Sequence, residues 1–178
     1  MVKILYGASL ICVSISVVTD IRLRKIPNWL TIPAMLLGLI LNGFFFGSSG
    51  LILSLEGLAL GFGLLFFVYL LGGMGAGDVK LLSAVGALLG PRLVFYTFIW
   101  TALTGGLMAV AVVVTKRVFK QTFHNLKMLI QGWVLGISNS ETNFTIRNQS
   151  LITLPYGVAI AVGTALAIWI QRIPRPSF

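Results

Sequence analysis

Acidic side chains are nearly missing from this chain. Of 178 residues only Asp20, Glu56, Asp78 and Glu141 are acids, against thirteen Lys and Arg. Cysteine and histidine occur once each, as Cys12 and His124. A single cysteine excludes an internal disulfide framework and a zinc set built on paired thiols. Charge of either sign makes up only 10% of the chain, too little for the surface of an ordinary soluble domain.

What is present is apolar: 57% of the residues are hydrophobic and the mean hydropathy is +0.99. A helix needs about 20 apolar residues to cross a bilayer. Five runs approach that length, at about 4–19, 29–47, 51–73, 93–115 and 151–171, and a sixth at 79–91 is apolar but short. The expectation is an all-α integral membrane protein. It is a single domain over 1–178, a bundle of about six transmembrane helices with one short member. The first run ends in "VVTDIRLRK" without a small-residue cleavage site and has its basic cluster behind it, so it reads as a retained anchor rather than a secretory signal. Cys12 lies within this anchor as a small packing residue.

The net charge of +9 does not indicate nucleic acid, because the cations sit between apolar runs. If the helices alternate, Arg22, Arg24, Lys25, Lys80, Lys116, Arg117, Lys120, Lys127 and Arg147 share one side, and Lys3, Arg92, Arg172 and Arg175 share the other. The positive-inside rule makes the first side cytoplasmic and places both termini outside. The basic stretch 116–135 repeats apolar residues at helical spacing, which predicts a cytoplasmic amphipathic helix within an insertion over 116–150. His124 falls there as an interfacial side chain. Asn143 and Asn148 open glycosylation-like triplets, which this topology discounts. Glu56, near the outer interface, reads as a structural acid that snorkels or bonds a neighbour.

Asp20 follows the first apolar run and Asp78 the third, so the chain crosses twice between them and both acids emerge on one face. Packed helices lie roughly 8–10 Å apart, which lets the carboxyls meet. Basic neighbours leave one reading open, two solvated ion pairs worth ~0–1 kcal/mol each. Glycine weighs the other way: Gly72, Gly73, Gly75 and Gly77 lead into Asp78, removing bulk and relaxing backbone limits where an extended peptide would have to enter. Two adjoining carboxyls share one proton. The charged member can take a proton from water while the protonated one donates to a carbonyl. A serine–histidine or cysteine–histidine centre lacks its parts, since His124 and Cys12 fall at opposite faces. Neither a cofactor nor a metal is expected.

"GAGD" at 75–78, continued by "VKL", resembles the GxGD signature of intramembrane aspartyl proteases as found in type IV prepilin peptidases. "DIRLRKIPN" at 20–28 is similar to that family's first catalytic aspartate with its Ile-Pro-Asn element, and "LPYGVAIAVG" at 154–163 resembles the start of its last helix. The resemblance implies a multi-pass enzyme of the bacterial inner membrane. Its catalytic pair would be Asp20 and Asp78, with Gly75, Gly77, Pro27 and Asn28 shaping the site. Its substrates would be prepilins or pseudopilins with a basic leader and an apolar helix, cut after a glycine at the cytoplasmic face. Arg22, Arg24 or Lys80 would pair with a substrate glutamate beyond the cut. Larger members also methylate the new terminus through an N-terminal extension with paired cysteines; this activity is expected to be absent here. The short form is similar to tight-adherence (Flp-type) peptidases, with archaeal preflagellin peptidases related. Two other classes compete: a proton- or ion-coupled transporter, whose relay acids would sit near the midplane, and a non-catalytic assembly subunit whose glycines serve packing.

Overall fold

A computed structural model describes residues 1–70, 73–115 and 155–172. The described residues form five helices and no strands: α1 Val2–Leu23, α2 Asn28–Leu70, α3 Ala76–Leu89, α4 Pro91–Thr115 and α5 Tyr156–Arg172. Three of them, α1, α2 and α4, are long and apolar enough to cross a membrane. By packing, the chain divides into two units, Met1–Gly105 with Pro155–Phe178, and Gly106–Leu154. The first holds all the geometry below. Of the second, only the helical end of α4 is described. The predicted amphipathic insertion at 116–150, with His124, lies outside the described residues, as does Gly72.

The apolar runs at 29–47 and 51–73 appear as two arms of α2. Gly47 breaks the helix with φ 65° and ψ −149°, a conformation open to glycine and strained for other residues. Beyond it the chain doubles back. In a continuous helix Asn42 and Gly50 would be about 12 Å apart along the axis, yet a Cβ on Gly50 would run into the Asn42 carbonyl. Pro27 stands just before α2, and its carbonyl accepts the Leu30 and Thr31 N–H groups at 3.2 and 3.4 Å.

Between and against these arms lies α3, the short helix. From Val79 to Leu88 every residue except Lys80 is buried, and Leu81, Leu82, Ala84, Val85 and Ala87 are wholly enclosed. The fit depends on missing side chains. A Cβ on Gly38 would lie 2.7 Å from the Ala87 carbonyl carbon, and one on Gly61 2.6 Å from the Leu82 carbonyl oxygen. Gly57 and Gly86 face each other so closely that neither has room for a methyl group. Polar side chains complete the seam: Asn42 donates Nδ2–H to the Ala87 carbonyl at 3.0 Å and Ser54 donates Oγ–H to the same oxygen at 2.6 Å. Close approach of small residues with interhelical hydrogen bonds is how helices associate where lipid supplies no hydrophobic drive. The outer surface is correspondingly apolar, with Leu36, Ile40, Phe44 and Phe67 exposed while Ser9, Ser16, Thr31 and Thr97 are buried.

Candidate active site

Asp20 ends a stripe. The buried residues of α1 are Leu5, Ser9, Cys12, Val13, Ser16 and Asp20, which recur every three or four residues, with Cys12 and Val13 side by side, and so occupy one face. That face turns toward α3 and α5. Small side chains, two of them hydroxyls bonded back to their own helix, keep α1 close to its neighbours until the carboxyl is reached. Immediately afterwards the helix stops: Arg24 takes the left-handed conformation, φ 50°, and its N–H caps the Asp20 carbonyl at 2.9 Å.

Asp78 enters from the first turn of α3. Gly75 is the N-cap residue, and its N–H donates to Asp78 Oδ2 at 3.1 Å, the returning half of a capping box. The backbone at Gly75 is ordinary, φ −80° and ψ 150°. Positive-φ glycines among the described residues are Gly47 and Gly90 alone. Of the two contributions expected of Gly75 and Gly77, unusual backbone angles are not seen, since neither residue shows a positive φ, whereas the removal of bulk is seen at Gly77. A Cβ on Gly77 would stand 3.0 Å from Ile26 Cβ and 3.3 Å from its carbonyl oxygen, so the "GAGD" turn lies directly on the "IPN" connector. Lys80 fastens the same contact, donating Nζ–H to Asn28 Oδ1 at 2.9 Å.

The two carboxyls reach one end of the bundle together, and both are buried, each only 9% exposed. Asp78 stands outside the three long apolar helices, and its carboxyl is pushed up from the ordinary 3.8 to about 6. Burial is the main cause; the Gly75 N–H works against it, and the Asp20 charge adds to the rise. That last contribution places Asp20 within electrostatic reach of Asp78. Arg22 is exposed at the end of α1, and Arg24 is exposed and engaged. Glu56 is exposed on the second arm of α2. Among the described residues no group of three or more His, Cys, Asp and Glu could hold a metal ion.

One participant was not singled out from the sequence. Gly157, the second residue of α5, donates its N–H to Asp20 Oδ2 at 2.8 Å. Its signal was present in "LPYGVAIAVG", a glycine just after a proline at the start of an apolar helix.

Fold and site together define a helical membrane protein with paired, buried aspartates at one end. The chain belongs to the type IV leader peptidase family, whose model matches residues 7–110 and so takes in both aspartates. It thus carries a peptidase domain, and its chemistry is hydrolytic. Comparison with curated proteins and with solved structures returned no match.

Proposed function

We propose that the chain is an aspartyl endopeptidase that removes leader peptides from type IV prepilins or pseudopilins at the cytoplasmic face of the bacterial inner membrane. The observation that supports this reading is that Asp20 and Asp78, 58 residues apart in sequence, are both buried at one end of the bundle, with the Asp20 charge adding to the rise at Asp78. Family membership supports the reaction class.

The reaction follows from one proton held between two carboxyls. The charged aspartate accepts a proton from water as the water oxygen bonds to the scissile carbonyl carbon. The protonated aspartate gives its proton to the carbonyl oxygen, and a gem-diol forms. When it collapses, a hydroxyl proton returns to the newly charged aspartate, the C–N bond breaks, and the nitrogen leaves with the proton first taken from water. Water is consumed and the pair ends as it began. Its protons belong to the pair and not to either member.

Lys80, held by Asn28, together with Arg22 and Arg24, supplies the cations beside the pair that would meet a substrate carboxylate. The six-span arrangement with both termini outside is part of the same proposal. A transporter reading draws less support, because these acids lie at helix ends in the last turn of α1 and the first turn of α3. The test is cleavage of a co-expressed leader-bearing prepilin in membranes. Asp20→Asn and Asp78→Asn should each abolish the mature product at unchanged protein abundance. Cleavage persisting in either variant refutes the two-aspartate mechanism.

A further inference from the structure

We propose that Gly157 is a positioning residue of the aspartate pair: its N–H, with that of Gly75, fixes Oδ2 of each carboxyl and leaves the two Oδ1 atoms as the reacting oxygens. This rests on the two-aspartate reading above. The N–H of Gly157 is one of those at a helix start that have no partner within the helix. Here the partner is a carboxylate from another helix, so Asp20 caps α5 while ending α1. Asp20 sits at the negative end of its own helix, and the positive end of α5 is set against it.

The contact permits no side chain. A Cβ on Gly157 would lie 2.9 Å from Asp20 Oδ2 and 3.1 Å from Asp20 Cβ. Nor can the start of α5 simply withdraw. Thr104 on α4, whose Oγ1–H is directed to the Trp100 carbonyl at 2.8 Å, also stands 3.3 Å from the Ala159 carbonyl, and Tyr156 packs over Gly105, whose Cβ would stand 3.0 Å from the ring. Asp78 is held in the same manner, with Oδ2 on the Gly75 N–H at 3.1 Å. Among the described residues neither Oδ1 has a hydrogen-bond partner, and neither is a sealed, unpaired atom. Among the described residues the Asp20 charge acts on Asp78 of α3; α5 contributes the amide, and Arg22 and Arg24 belong to the end of α1.

The experiment measures kcat and KM against pH for the purified full-length protein acting on a leader-bearing prepilin. Asp20→Asn and Asp78→Asn must be inactive; activity in either refutes the two-aspartate reading itself. With that settled, Gly157→Ala should lower kcat by at least about tenfold with KM little changed. It should also move the acidic limb of the profile upward by about half a pH unit or more, because the new methyl pushes the carboxylate off the N–H and leaves the charged form of the pair less favoured. Gly163→Ala controls for displacement of α5, since its Cβ would press on the Thr101 backbone nitrogen at 2.8 Å, away from the aspartates. It should lower the melting temperature and leave the acidic limb in place. Unchanged kcat and pH profile in Gly157→Ala, or the same shift in Gly163→Ala, overturns the proposal. If Gly157→Ala does not fold, melting decides: Asp20→Asn keeps an acceptor for the amide and should melt above Asp20→Ala, and equal melting overturns the proposal.

Discussion

Asp78 is a residue whose usefulness and stability conflict. Its carboxyl, near 6 when folded against 3.8 ordinarily, binds a proton more readily in the folded chain than in the unfolded one. Between those values the folded state holds more protons, so stability is full below about 3.8, falls as pH rises through 6, and then levels off. Asp78→Asn removes the cost of burying the charge and can still accept the Gly75 N–H. At pH 7.5 the variant should be more stable than the parent by roughly 2–3 kcal/mol, and at pH 4 by almost nothing. Thermal unfolding in detergent at the two pH values measures this; a variant less stable at both would show that the carboxylate supports the fold. The same group sets an activity prediction. The reaction needs one proton on the pair, so kcat/KM should fall as pH rises above about 6. A rate flat from pH 5 to 8 would contradict it.

At the scale of elements, what decides the fold is the seam between α2 and α3. Gly57→Ala should destabilise the protein by about 1–3 kcal/mol or more, because the added methyl meets the Gly86 carbonyl and backbone cannot step aside. Gly63 is six residues further along the same arm and has nothing within 4 Å of its would-be Cβ. Gly63→Ala should be neutral or stabilise by about 0.5–1 kcal/mol through helix propensity. Equal melting temperatures for the two variants would mean that the seam does not carry stability. Much of this was legible beforehand. Hydrophobic run length located every described helix, since length and apolarity alone decide what can span a bilayer, and parity brought Asp20 and Asp78 to one end. The seam itself was hidden, although Ser54, Gly57 and Gly61 recur at helical spacing, because a stripe of small residues does not name its partner. Gly157 was hidden for a related reason: its contribution is a backbone N–H, which every residue but proline has, and only the crossing of α1 and α5 gives it a role. Of the two contributions expected from the glycines before Asp78, space is the one that Gly77 makes against Ile26, and neither Gly75 nor Gly77 takes a positive φ.

For the whole molecule, helix lengths set the depth of the site. Leu88 lies level with Asn42, five residues short of the bend at Gly47, and Asp78 lies ten residues back along α3. At 1.5 Å per residue Asp78 is therefore roughly 23 Å from the bend; counting down the second arm from Gly47 to Gly61, opposite Leu82, gives roughly 27 Å. The proposed topology puts the bend at the outer boundary of a hydrocarbon layer of about 30 Å, and this length then brings Asp78 to the opposite boundary. That depth suits a site where water arrives from one side and an apolar helix from the other. It also fixes a labelling pattern. Ser49, exposed beside the bend, and Lys25, exposed in the connector, are separated by the first arm of α2. The native Cys12 is buried and should stay silent toward a membrane-impermeant maleimide. A cysteine in place of Ser49 should be labelled in intact cells, and one in place of Lys25 only after the membrane is opened. The reverse pattern would put the aspartates on the outer face and remove cytoplasmic cleavage. Labelling of both from outside would mean that the first arm does not cross, and the depth argument would fall with it.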